Sequence, residues 1–172
     1  MPLSSSVITT AIQSVLNRIT AATNRIALGA LLASLEARGF KYYSQTGIVP
    51  ADFSDQGTTT GHFTLPAALP ENAVILGGFI LPQVNFTGGA VSAATVSMGD
   101  ASDRDGLAEA VDVFASAGNA QDGIPTAVGY AGAIRQSWAP TITLATTGAN
   151  LDQLSAGELT AFIIYQDISE LV

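Results

Sequence analysis

LPENAVILGGFILPQVNFTGGAVSAATVSMGDASDRDG, residues Leu69 to Gly106, contains two apolar runs rich in β-branched residues, separated by paired glycines and closed by a small acidic loop. Ala73 to Ile80 is apolar on both faces apart from its glycines, which is the pattern of a strand covered on both sides. Val84 to Thr87 reads as a second, short strand that stops at Gly88 and Gly89. In Ala93 to Met98, the residues Ala94, Val96 and Met98 alternate with Ala93, Thr95 and Ser97, a half-buried strand with period two. Together these read as the central antiparallel hairpin of an all-β body.

The same grammar extends on both sides. Upstream, HFTLP opens a strand at His62 that Pro66 and Pro70 end. Downstream, Val111, Val113 and Ala115 alternate with Asp112 and Phe114, and a short strand fits Ala127 to Tyr130 within the loop-rich Ser116 to Ala133. Ile142 and Leu144 point one way and Thr141 and Thr143 the other, with Gly148 and Asn150 marking a turn. Glu158 to Gln166 is apolar on both faces, with Leu159, Ala161, Ile163 and Tyr165 opposite Thr160, Phe162 and Ile164. Seven or eight short strands with regular turn signals predict an antiparallel β-sandwich of jelly-roll type over residues 56–172.

Ahead of it, residues 1–55 read as a helical arm and linker. Ser4, Ser5 and Ser6 offer N-cap side chains. Ile8, Ile12, Val15, Ile19, Ala22 and Ile26 then follow at alternating spacings of four and three, a heptad seam of about two and a half repeats. Ile and Val at both seam positions favour three or more strands over two. Ile26, Leu28, Leu31, Leu32 and Leu35 cover more than one helical face, so this part is expected to be buried between subunits or between arm and body, with Gly39 as its stop. The predicted oligomerisation or docking interface is therefore Ile8, Ile12, Val15, Ile19, Ile26, Leu31 and Leu35. Phe40 to Gly61 mixes aromatics with Gly, Pro, Ser and Thr and reads as an extended linker.

Composition narrows the function. The chain has 172 residues, 48% hydrophobic and only 12% charged, about half the roughly 25% charged share of ordinary globular proteins. So few charges favour a protein that hides surface in an oligomer or against a larger assembly. Residues 1–50 carry four basic side chains against one acidic, and residues 51–172 carry two against thirteen. An acidic body argues against nucleic acid as a partner, and no run of Lys or Arg marks the arm as a nucleic-acid tail. The apolar runs are too short or too interrupted for a membrane span and the N-terminus lacks a secretory signal, so a protein made in a cytoplasm is expected.

Chemistry has few candidates. There are no cysteines and a single histidine, His62, which excludes thiolate catalysis and multi-histidine metal sites. No nucleophile elbow or phosphate-binding loop is present, and no pair among the body's carboxylates is singled out for glycoside hydrolysis. In GDASDRDG, Asp103, Asp105 and Gly106 match the third, fifth and sixth positions of a calcium loop, and Asp112 falls at the twelfth. Ala101 stands where the first carboxylate belongs, and aspartate is also the ordinary residue of turns, so the turn reading is preferred. Phe114, Tyr130, Trp138 and Tyr165 are candidates for a sugar platform, although aromatics at strand spacing read first as core or interface. No catalytic residue, cofactor or enzymatic activity is expected.

Five phrases, Leu69 to Ile75, Phe86 to Gly89, Met98 to Gly106, Ala110 to Gly118 and Leu154 to Tyr165, resemble recurring phrases of small virion structural proteins of tailed bacteriophages. Those proteins include capsid decoration and related head or neck proteins, and the resemblance runs from about residue 63 to the end. It implies a β-sandwich cement protein, commonly a homotrimer bound to the major capsid protein on the outside of a phage head, without catalysis. The helical arm departs from the bare sandwich and leaves open a neck-, tail- or fibre-associated piece that binds a receptor or glycan.

Overall fold

The computed structural model describes residues 39–67, 69–71, 73–115, 134–135 and 139–167, with 33, 36 and 37 ahead of them. Among the described residues eight strands are formed: β1 (Lys41–Ile48), β2 (Thr60–Thr64), β3 (Ala73–Thr87), β4 (Ala93–Gly99), β5 (Ala108–Asp112), β6 (Ile134–Arg135), β7 (Thr141–Thr147) and β8 (Ala156–Asp167). Sheet one has the order β1-β8-β3-β6 and sheet two the order β2-β7-β4-β5. All pairings are antiparallel.

The partners are β1 with β8, β2 with β7, β3 with β6 and β4 with β5. The chain is thus one long hairpin, closed at β4–β5 and rolled into two layers, which is the jelly roll the sequence predicted. Every connection except β4–β5 changes sheet. Consequently β3 and β4 are not hairpin partners, as the alternation in Leu69 to Gly106 suggested. They belong to opposite sheets, and the Gly88–Gly89 turn carries the chain across. Alternation reports which faces are buried but not which strand lies alongside.

The inward sets agree with the period-two reading. Ala94, Val96 and Met98 of β4, Ile142 and Leu144 of β7, and Leu159, Ala161 and Ile163 of β8 are buried in one core with Ile75, Ile80 and Phe86 of β3. Full burial of each such aliphatic or aromatic side chain is worth roughly 1.5–3 kcal/mol over exposure.

Two boundaries differ from expectation. Val84 to Thr87 is not a separate strand, because β3 runs unbroken for 15 residues through Pro82. Beyond Val74 no described strand pairs with the far edge of β3, and the ladder to β8 shifts register between Pro82 and Val84. A missing N–H is tolerated at such a place. The second difference concerns the expected linker, whose first part is β1. Lys41 pairs with Tyr165 and Ile48 with Leu159, so the sandwich begins at Lys41 rather than at residue 56. As an edge strand β1 carries polar residues on both faces, which hid its strand character. The rest of that stretch is tied to the turn between β7 and β8: Leu151 N–H donates to the Thr58 carbonyl at 2.8 Å, Asp152 N–H to Gln56 at 2.9 Å, and Asn150 Nδ2 to Gly57 at 2.8 Å.

Of the arm, only its last turn falls among the described residues. Ala37 N–H donates to the Ala33 carbonyl at 3.0 Å and Gly39 N–H to Glu36 at 2.9 Å. Gly39 takes φ +83°, the left-handed conformation in which glycine ends helices. The remainder of the arm lies outside the described residues.

Candidate functional site

The acidic loop between β4 and β5 is built from its own hydrogen bonds. Asp100 Oδ1 accepts from Ser102 N–H at 2.7 Å, Ser102 Oγ at 2.6 Å and Asp103 N–H at 2.9 Å. Asp100 N–H in turn donates to the Asp103 carbonyl at 2.8 Å. This is the turn chemistry of a short polar side chain closing its own backbone. Asp112, the candidate twelfth calcium ligand, caps a different turn: its Oδ1 accepts from Phe114 N–H at 2.7 Å and Ala115 N–H at 3.3 Å.

The three calcium candidates therefore do not converge, and among the described residues no group of three or more His, Asp or Glu side chains is placed to hold a metal ion. The Asp103 carboxyl is held above its ordinary value, first by desolvation and then by the hydrogen bond and charge of Asp105, with Asp100 adding to it. Bringing a cation here would require undoing these self-contained bonds.

His62 sits half-buried on β2, on the outer face of sheet two, with Nδ1 3.2 Å from Thr143 Oγ1 of β7. Burial is the main cause that lowers its pKa from the ordinary 6.5; the Arg104 charge acts in the same direction and Asp55 opposes both. The neutral ring therefore belongs to the sheet surface, and its polar atom already has a partner.

Two of the four aromatic platform candidates fall among the described residues. Phe114 and Tyr165 pack against the sandwich core, while Tyr130 and Trp138 lie outside the described residues, as do all seven predicted interface positions, Ile8, Ile12, Val15, Ile19, Ile26, Leu31 and Leu35.

Sequence reasoning missed a surface. On the outer face of sheet two, β2, β7 and β4 align His62, Thr143 and Ser97 in one row. Thr60, Ala145 and Thr95 form the next row, extended by Asp112 of β5. Thr64, Thr141 and Gly99 form a third, which the Asp103–Arg104 backbone covers at Gly99. With strands about 4.8 Å apart, four strands make a platform on the order of 15 Å wide. Its centre holds only short hydroxyl and methyl side chains, and its charged residues, Glu109 and Asp112, stand on the β5 edge. The signal is the alternation of Thr141 and Thr143 with Ile142 and Leu144 in β7, whose outward residues become a surface only beside those of β2 and β4.

The centre of this face, Thr95, Ser97, Thr143 and Ala145, carries no charged side chain, while the Asp103–Arg104 backbone lies against Gly99 at one end and the Arg104 and Asp55 charges act on His62. Short side chains lose little rotamer freedom when covered, and their hydroxyls both donate and accept. It is suited to lying against another protein surface over an area, and poorly suited to gripping a small ligand, which wants a cleft. Among the described residues, no helix is long and apolar enough to cross a membrane.

No protein-family model matches the chain, and no curated protein matches it. Among solved structures, a chain of "Cyanophage Pam1 capsid asymmetric unit" is similar at 18% identity and a TM-score of 0.43, the match covering 74% of this chain and 85% of that one.

Proposed function

We propose that this chain is a non-enzymatic virion structural protein, a cement protein that sits as a homotrimer on the outside of a phage head and binds the major capsid protein. The observation that carries the reading is the hydroxyl-lined centre of the outer face of sheet two, where Thr95, Ser97 and Thr143 stand side by side on β4 and β7. The low charge of the whole chain and the phrases it shares with small phage virion proteins support it. In this reading the sandwich lies on the shell, the seam Ile8, Ile12, Val15 and Ile19 joins three copies, and assembly takes place in the host cytoplasm. Stabilisation comes from surface removed from water across capsomer junctions, at roughly 25 cal/mol per Å² of apolar area before association costs.

Co-sedimentation with purified heads of the source phage tests it, paired with light scattering on the free protein. Saturable binding by a trimer is expected. Thr143→Arg and Ser97→Arg, at the centre of the platform, should abolish head binding while leaving the melting temperature within a few degrees of the parent. A strict monomer that stays in the supernatant would end the proposal. A neck or fibre role in receptor binding predicts instead saturable glycan binding that is lost on changing Trp138 or Tyr130.

A further inference from the structure

On the outer face of sheet two, His62 is the side chain that can change its charge in the row it shares with Thr143 of β7 and Ser97 of β4. Its ring touches that row directly, with Nδ1 3.2 Å from Thr143 Oγ1. The backbone under the ring is tied from outside the sheet. Ser54 N–H donates to the His62 carbonyl at 2.9 Å, His62 N–H donates to Ser54 Oγ at 3.2 Å, and Ser54 Oγ donates to Asp55 Oδ2 at 2.8 Å. Strand and ring are thus both held in place on the surface that meets a partner.

In neutral imidazole one nitrogen donates and the other accepts, whereas in imidazolium both donate. The Thr143 hydroxyl can serve Nδ1 in either state, but protonation forces it to accept. Protonation also puts a full charge into a row that otherwise holds none. The charges that act on the ring are Arg104, from the loop between β4 and β5, and Asp55, from the turn ahead of β2. Within the sheet its neighbours Thr60, Thr64, Thr143 and Ser97 add none. Burial and Arg104 together outweigh Asp55 and keep the ring neutral near pH 7. Covering the face with a second protein removes more water, which costs a charged ring far more than a hydroxyl.

We infer that His62 makes capsid docking pH-dependent: the neutral ring lies under the partner surface, and its protonation weakens the hold. The inference rests on the reading of sheet two as the docking face and adds a direction to it. Heads keep this protein at neutral pH and lose it in acid. The chemistry of the partner follows as well, because a carboxylate opposite the ring would favour its charged form. The capsid surface facing His62 is therefore one that brings no acidic side chain to it.

Co-sedimentation of the full-length chain with purified heads of the source phage, between pH 8 and pH 5, tests this. The affinity of the parent should fall about tenfold for each pH unit below the midpoint of the ring. His62→Gln has no titratable ring, so the ratio of its affinities at pH 8 and pH 5 should be near one, whatever their absolute level. Arg104→Gln removes a charge that keeps the ring neutral and should move the loss to higher pH. Calorimetry of the parent in buffers of different ionisation heat is independent of any variant: docking at pH 5 should release up to one proton per chain, and at pH 8 none. Parent affinity that stays level, or that falls equally in His62→Gln, overturns the inference and leaves docking through sheet two standing. So does docking at pH 5 without proton release, or an affinity that rises in acid. Absence of binding at pH 8 removes the docking reading itself, and the inference with it.

Discussion

Gly78 of β3 and Met98 of β4 meet across the core so closely that a Cβ on Gly78 would collide with the Met98 methyl, with the Phe162 carbonyl oxygen next at 3.2 Å. A side chain from sheet two thus fills the space that a side chain of sheet one leaves empty. Layers of a close-packed core interdigitate in this way.

Gly78→Ala should therefore destabilise by about 1–2 kcal/mol, as modest overpacking does. The obstructing atom is the free end of a flexible side chain, so Met98→Val should recover part of the loss in a double-mutant cycle followed by urea unfolding. Gly99→Ala is expected to cost more. The Cβ there would meet backbone, the Asp103 carbonyl oxygen and the Arg104 carbonyl carbon, and no rotamer change relieves it.

Because the Asp103 pKa is raised in the fold, the folded state binds its proton more tightly than the unfolded chain. Its contribution is present at low pH and is lost as pH rises from the ordinary value near 4 through the raised one. Asp103→Asn, which is neutral throughout, should be slightly more stable than the parent at pH 7. The advantage should shrink to nothing near pH 3 and weaken in high salt, as thermal melts across pH would register.

His62 has the opposite sign. Its lowered pKa means that the unfolded chain takes up the proton first, so stability is full above pH 6.5 and falls as pH drops from there to the folded value. The single histidine gives one imidazole resonance, whose NMR midpoint should lie below 6.5. Arg104→Gln should move that midpoint up.

Asp100→Ala removes an acceptor of three hydrogen bonds and should cost about 1–2 kcal/mol. Millimolar calcium should leave the melting temperature of the parent unchanged, since the loop closes on its own amides.

Burial proved readable from residue order because side chains alternate strictly across a strand. That is why Ile142, Leu144, Val96 and Met98 could be placed inward and β8 recognised as covered on both faces. Pairing was less readable, since the same alternation suits any neighbour, and β3 and β4 were joined when they face each other across the core. β1 was missed because an edge strand has polar residues on both faces. The platform of sheet two was present in the sequence as Thr141, Thr143, Thr95 and Ser97, but short polar residues carry no individual signature. Only their rows across three strands make a surface.

The rolled-hairpin topology has a consequence for timing. The outermost pair, β1 with β8, joins Lys41 to Asp167 by a 2.9 Å ion pair between residues 126 apart in the chain. Closing so long a loop comes late, after β4–β5 and the pairs nearer the tip have reduced the distance, and sandwiches of this kind fold in milliseconds to seconds. Residues 33–39, which lead directly into β1, are therefore brought to the sheet edge only when this last pair zips. A nascent chain can therefore complete this sheet only after Asp167, near its far end, has been made.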